Sequence, residues 1–141
     1  FQIWLEPDLR EAVRRPAAYH EFEASVFPTA ERAGVTTRTF LGAGSPLKLV
    51  TDATMEHIRV DAGRSYAFAT KNGTQRAVVV MGGNGRLLEG EDESLVMQRD
   101  FVIVGEPTEV IFVNDAQDTL ELFAITLPTA VDYPLYDKRH Q

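Results

Sequence analysis

The chain has 141 residues, 44% of them apolar and 25% charged, the make-up of a single soluble globular domain that can bury its own core. It has no cysteine, which excludes disulfides and thiolate metal sites and accords with a reducing, cytoplasmic setting. Acidic residues outnumber basic ones 21 to 14, for a net charge of −7, and no long Lys/Arg cluster occurs, which argues against a nucleic-acid partner.

In chain order, "FQIWL" (1–5) reads as an apolar strand that docks on something. The sequence begins with Phe1 rather than Met and shows no signal-peptide pattern, which leaves open a start further upstream. "PDLREAVRRP" (Pro7–Pro16) is the one helical stretch, with acids early, arginines late and a proline closing its far end. Strands are then expected at 19–24, 35–41, 47–51, 54–60, 65–71, 75–81, 85–89, 95–98, 101–105, 109–114 and 120–127. Turn signals such as "DAG", "KNG", "GGNG" and "EGEDE" separate them. Short strands at spacings near ten residues indicate an all-β sandwich or barrel over residues 1–127, with 1–27 as a strand and arm and 128–141 as a tail. The longest apolar runs, about seven residues, are far too short for a membrane span.

Periodicity adds a constraint. "HEFEA" and "TTRTF" alternate as half-buried strands do, whereas "AVVVM", "FVIVG" and "VIFV" do not, so both faces of those strands need cover. One barrel interior covers one face. The other is expected to meet a partner sheet, exposing Trp4 or Ala77, Val79 and Met81 to it, in a two-fold dimer or against a second domain. The alternative is that residues 1–27 and the tail "TAVDYPLYDKRHQ" wrap back onto the barrel within one chain.

Two glycine frames stand out. Five residues after Gly63 come Ala69, Thr70 and Lys71; four more lead to Arg76 and six more to Gly83. In the second, counting from Arg99 gives Gly105, Pro107, Val110 and Asn114. These frames resemble the two motifs of the cupins, with the metal-binding His-x-His, glutamate and second-motif histidine replaced by Ala69, Lys71, Arg76 and Val110. The resemblance implies a double-stranded β-helix barrel of two antiparallel sheets. "FQIWLEPD", "PAAYHEFE", "SPLKLVTDATMEHIRVDAG" and "ITLP" further resemble the carboxy-terminal half of pirin-like bicupins, over roughly residues 1–127. Those proteins bind iron or a similar metal in the first cupin through three histidines and a glutamate. Some oxidise flavonols such as quercetin with dioxygen, others bind partner proteins, and the second cupin usually lacks the ligands.

The donor chemistry points the same way. A cupin metal needs three or four imidazole or carboxylate donors converging at about 2 Å. Alanine and valine offer none, and Lys71 and Arg76 would repel a cation. His20 and His57 lie 37 residues apart without a ligand pattern, and His140 is in the tail. "EGEDE" lacks the spacing of a calcium loop, and "GGNG" opens no helix that could cradle phosphate, so both read as turns. Ser25, Ser45, Ser65 and Ser94 have no nucleophile context.

By the family frame, Ala69, Lys71, Arg76, Val78, Val80, Val110 and Phe112 line the cavity. Lys71 also opens the "KNG" hairpin signal, which would instead place it at the surface. Two functions follow. One is a metal-free, cofactor-free and non-catalytic domain that acts in structure or interaction. The other is a pocket for a small anionic ligand, gripped by Lys71 and Arg76 with Arg76 as the anchor. Flavonol oxidation would belong to a longer parent protein, in a half absent from this sequence.

Overall fold

The structure, a computed structural model, describes residues 2–105 and 108–135. Phe1, Pro107, His140 and the last six residues of the expected tail fall outside them. The described chain is two antiparallel sheets. A six-stranded sheet runs in the order β1 (Thr29–Arg32), β2 (Val35–Leu41), β3 (Thr54–Val60), β10 (Leu120–Pro128), β5 (Thr74–Gly82), β8 (Phe101–Val104). A four-stranded sheet runs β4 (Ser65–Ala69), β9 (Glu109–Val113), β6 (Asn84–Glu89), β7 (Asp92–Met97). Successive strands from β3 to β10 repeatedly cross between the sheets, the winding of a double-stranded β-helix.

The period of two decides which side chains face inward. On β5, Arg76, Val78 and Val80 are buried, while Ala77, Val79 and Met81 between them are half-buried on the outside. On β10 the inward set is Leu120, Leu122 and Ala124, and on β3 it includes Ile58 and Val60. The facing sheet contributes Val110 and Phe112 from β9 and Val96 from β7. These residues form one apolar core between the sheets, the dominant stabilising term of the fold.

A second, smaller cluster lies on the outer face of the six-stranded sheet. Leu41, Ala53 and Met55 are covered there by Ile3, Leu5, Leu47, Phe40 and Phe123. Part of the dry outer face is thus sealed by this chain's own amino-terminal arm. The arm alternates in burial as a strand would, yet it lies on the sheet and joins no ladder, so the expected strand at 1–5 is extended chain over residues 2–7. A run of ring contacts ties the next segment down: His20 to Phe22, Phe22 to Phe27, Phe27 to Phe40, and Phe40 to Phe123 on β10, with centroids 4.7 to 6.0 Å apart.

Three other expectations need correction. The helix α1 is one turn, Leu9–Ala12, capped by Asp8, whose carboxylate accepts from the Arg10 N–H at 3.0 Å. Too few residues separate the two prolines, and none of the helix is buried, so nothing extends it. Residues 19–24 and 47–51 pair with no strand: the first is almost fully exposed, and the second winds past Pro46 with only Leu47 turned to the cluster. A strand at 29–32 was not legible, because β1 is an exposed edge with no apolar face.

One turn carries a strict steric demand. Gly83 joins β5 to β6 at φ +77°, and a Cβ there would lie 2.5 Å from the Thr119 carbonyl oxygen. Gly63 has a similar φ, +69°, but open space around it. We therefore expect Gly83→Ala to cost about 3 kcal/mol or more and Gly63→Ala about 1 kcal/mol. Urea denaturation of both variants checks this, and equal losses would contradict the packing around Gly83.

Candidate functional site

The charged feature of the interior is built from three strands. Arg76 on β5 and Glu56 on β3 both point inward and are separated by β10, where Glu56 is opposite Ala124 and Ala124 is opposite Val78. Arg76 is itself opposite Thr126, so the positions of β10 between the two long chains carry small side chains. Arg76 Nη2 donates to Glu56 Oε2 at 2.6 Å. The guanidinium side chain is 10% exposed and the carboxylate 28%, so Glu56 stands at the rim and Arg76 beneath it.

The opposite sheet closes over the pair with aromatic rings. The Arg76 guanidinium carbon lies 4.4 Å from the ring centre of Phe68 and 5.8 Å from that of Tyr66. Such contacts are electrostatically favourable, the more so when water is excluded. Arg76 Nε is buried without a hydrogen-bond partner among the described residues, and ring contact is what offsets its lost hydration. The Tyr66 phenol is pushed above its ordinary value chiefly by burial, and the nearby Arg76 charge opposes that shift in part.

The residues expected to line the cavity divide by face. Arg76, Val78, Val80, Val110 and Phe112 are buried and inward. Ala69 and Lys71 are not. Ala69 ends β4 on its outer face, opposite the exposed Glu109, and Lys71 is exposed at the hairpin, where its N–H donates to Thr74 Oγ1 at 3.1 Å. A one-residue displacement along a strand reverses the face. The inward positions of this segment are Tyr66, Phe68 and Thr70, whose hydroxyl binds the Gly105 and Thr108 carbonyls and anchors the chain between β8 and β9.

Counting from Gly63 missed Glu56, Tyr66 and Phe68. A signal for them existed. "SYAFA" alternates aromatic and small residues, and Glu56 shares its face with Ile58 and Val60 at spacings of two and four.

The remaining frame residues are structural. Asn114 is fully buried; its Nδ2 donates to the carbonyls of Val60 and Asp118 at 2.8 and 2.9 Å, and its Oδ1 accepts from the Ala116 N–H at 3.0 Å. It closes the ends of β3, β9 and the loop before β10. Ser45, the buried serine, donates to the Phe40 carbonyl at 2.6 Å in a turn. His57 is on the outer face of β3, its Nε2 3.6 Å from Glu121. Gly90 (φ +58°) turns the exposed "EGEDE" hairpin.

The donors needed for a cupin metal are not assembled. Among the described residues no three His, Asp or Glu side chains come together, and Glu56, the carboxylate at the rim, is engaged by Arg76. A metal ion placed beside Glu56 would meet a fixed positive charge, so these residues do not fit one.

Solved structures with a similar fold place this architecture. One is a protein from Photorhabdus luminescens, 14% identical, with a TM-score of 0.64 over 81% of this chain and 90% of that one. Another is a Cupin 2 conserved barrel domain protein from Salinispora arenicola, 10% identical, with a TM-score of 0.63 over 82% and 92%. A third is a double-stranded beta-helix domain protein from Klebsiella pneumoniae, 11% identical, with a TM-score of 0.63 over 86% and 100%. At these identities the likeness shows the fold, which is the cupin barrel. Scans of the sequence against family models and against curated proteins give no match.

Two predictions follow from the buried pair. Arg76→Ala leaves Glu56 without its partner and should cost about 2–4 kcal/mol, whereas the double variant Arg76→Met/Glu56→Leu should cost clearly less. Chemical denaturation of Arg76→Met, Glu56→Leu and the double variant measures the coupling; additive losses would show that the two groups are uncoupled.

The second concerns Tyr66. Its folded value lies above the unfolded one, near 10, so the stability tied to the neutral phenol is complete below that pH and is lost as pH rises through the folded value. Tyr66→Phe should therefore show a shallower alkaline loss of stability than the natural protein. An identical decline would assign the effect to other groups.

Proposed function

We propose that this chain is a metal-free, non-catalytic cupin domain of the pirin-like kind, working in structure or interaction rather than in chemistry. The observation that carries the reading is the Arg76–Glu56 pair under Phe68 and Tyr66. By the cupin spacing Arg76 stands at the position of the metal-binding glutamate, and a cation there disfavours a metal. The "FQIW" opening is what favours the pirin-like kind, in which the second cupin usually lacks ligands.

The partner in this reading is a second copy or a sister cupin, met through the outer face of the six-stranded sheet. The arm covers the side of that face nearest β3. At the other side the edge strand β8 presents Phe101 and Ile103, 60% and 62% exposed, beside Val79 and Ala77 of β5. Edge strands with apolar outer residues invite pairing unless something covers them.

Two measurements on one preparation test the reading. Protein from iron-supplemented cells should carry well under one metal ion per chain. It should also scatter light as a species of about twice the 15.7 kDa chain, and Ile103→Asp should return it to the monomer. Near-stoichiometric iron, zinc or nickel would overturn the metal-free part. A monomer at micromolar concentration would overturn the self-association.

A further inference from the structure

Beside the amino-terminal arm, outside the barrel, is a groove of about 290 Å³ between the turn after α1, residues 18–20 and the 47–51 segment. Its floor is apolar, formed in part by Leu5, Pro16 and Leu49, and Leu49 is left 47% exposed. Every charged residue on its walls is basic: Arg15 and Lys48, with His20 as a further ring N–H donor. In a chain of net charge −7, that is a local reversal of sign.

The cations are available. Lys48 has no hydrogen-bond or ion-pair partner among the described residues. Arg15 meets Glu11 at 3.3 Å, but both side chains are more than half exposed and the pair is one helical turn apart, the kind of contact worth little in water. A neighbouring groove of the same volume, also about 290 Å³, shares Leu5 and Thr51, yet there the charged wall residue is Glu6. The arm therefore separates two apolar grooves of opposite charge.

From this we infer that the basic groove is a binding site for a small amphipathic carboxylate, such as a medium-chain fatty acid or an aryl acid. The apolar part would lie on Leu5, Pro16 and Leu49 and the carboxylate between Arg15 and Lys48. The volume is at the lower end of ligand sites, which suits a ligand of about ten non-hydrogen atoms. A mostly apolar lining with a few charged groups is the usual form of such sites. The groove shares no residue with the Arg76–Glu56 pair or with the exposed Phe101 and Ile103 of β8.

Isotope-edited NMR titration of the full chain with sodium octanoate, 1-octanol and octylammonium tests the inference. Octanoate should give saturable shifts at the amides of Leu5, Ala12, Ala18 and Val50, and octanol and octylammonium should bind at least about fivefold more weakly. Lys48→Gln, at an exposed position that leaves the fold intact, should weaken octanoate about fivefold, the size of one partly exposed ion pair. Absence of saturation, equal binding of octanol, shifts centred on the barrel residues around Arg76, or an unchanged affinity in Lys48→Gln would each overturn it.

Discussion

A guanidinium held inside a β-barrel sets conditions on everything around it. Removing that charge from water is tolerable when an anion faces it at close range and its remaining surface is covered. Glu56 supplies the anion at 2.6 Å, and Phe68 supplies the cover. On the strand between them, Ala124 is opposite Glu56 and Thr126 is opposite Arg76, both small side chains. The pair joins β3 to β5 across β10 and draws β4 of the opposite sheet onto the same spot. Sheet register, the inward Arg76 and Glu56 and the aromatic residues of β4 are parts of one arrangement.

The outside of the barrel follows from a different balance. The outer face of β10 and β5 carries the apolar residues Phe123, Ile125, Ala77, Val79 and Met81, and exposed apolar sheet faces attract other surfaces. The arm answers part of this by laying Ile3 and Leu5 on the cluster around Met55, while the aromatic run from His20 to Phe123 holds the next segment in place. Because the arm lies on the sheet without joining it, its edges leave grooves. Lys48 and Arg15 on one side and Glu6 on the other give those grooves opposite charge. β8, beyond the reach of the arm, keeps Phe101 and Ile103 exposed.

Much of this was legible in the sequence, for identifiable reasons. β2, β3, β5, β9 and β10 alternate or run continuously apolar between clear turn signals, so their positions could be read closely. β1 could not be read, because "TAER" has no apolar face. The apolar run at 1–5 misled in the opposite way: over residues 2–5 one side packs on the sheet, and no local pattern distinguishes packing on a sheet from pairing within it. At the site, the resemblance to the cupin motif places Arg76 inside with Val78 and Val80, against a surface arginine as the alternative, and it is buried. That Glu56 faces inward had a local signal in its spacing from Ile58 and Val60, but its meeting with Arg76, 20 residues later, depends on β3 and β5 flanking β10, which no local pattern shows. The placement of Ala69 and Lys71 failed because a spacing inherited from a motif was one residue out of phase with this chain's own alternation in "SYAFAT".

The central claim is that the Arg76–Glu56 pair occupies the barrel in place of a metal. The most direct measurement is a crystal structure of protein grown and soaked with iron, manganese and zinc, with anomalous difference maps recorded at each metal's absorption edge. The account predicts no anomalous peak within the barrel and Arg76 bound to Glu56 beneath Phe68. A peak between the two sheets, with Glu56 turned from Arg76 to coordinate it, would contradict the account.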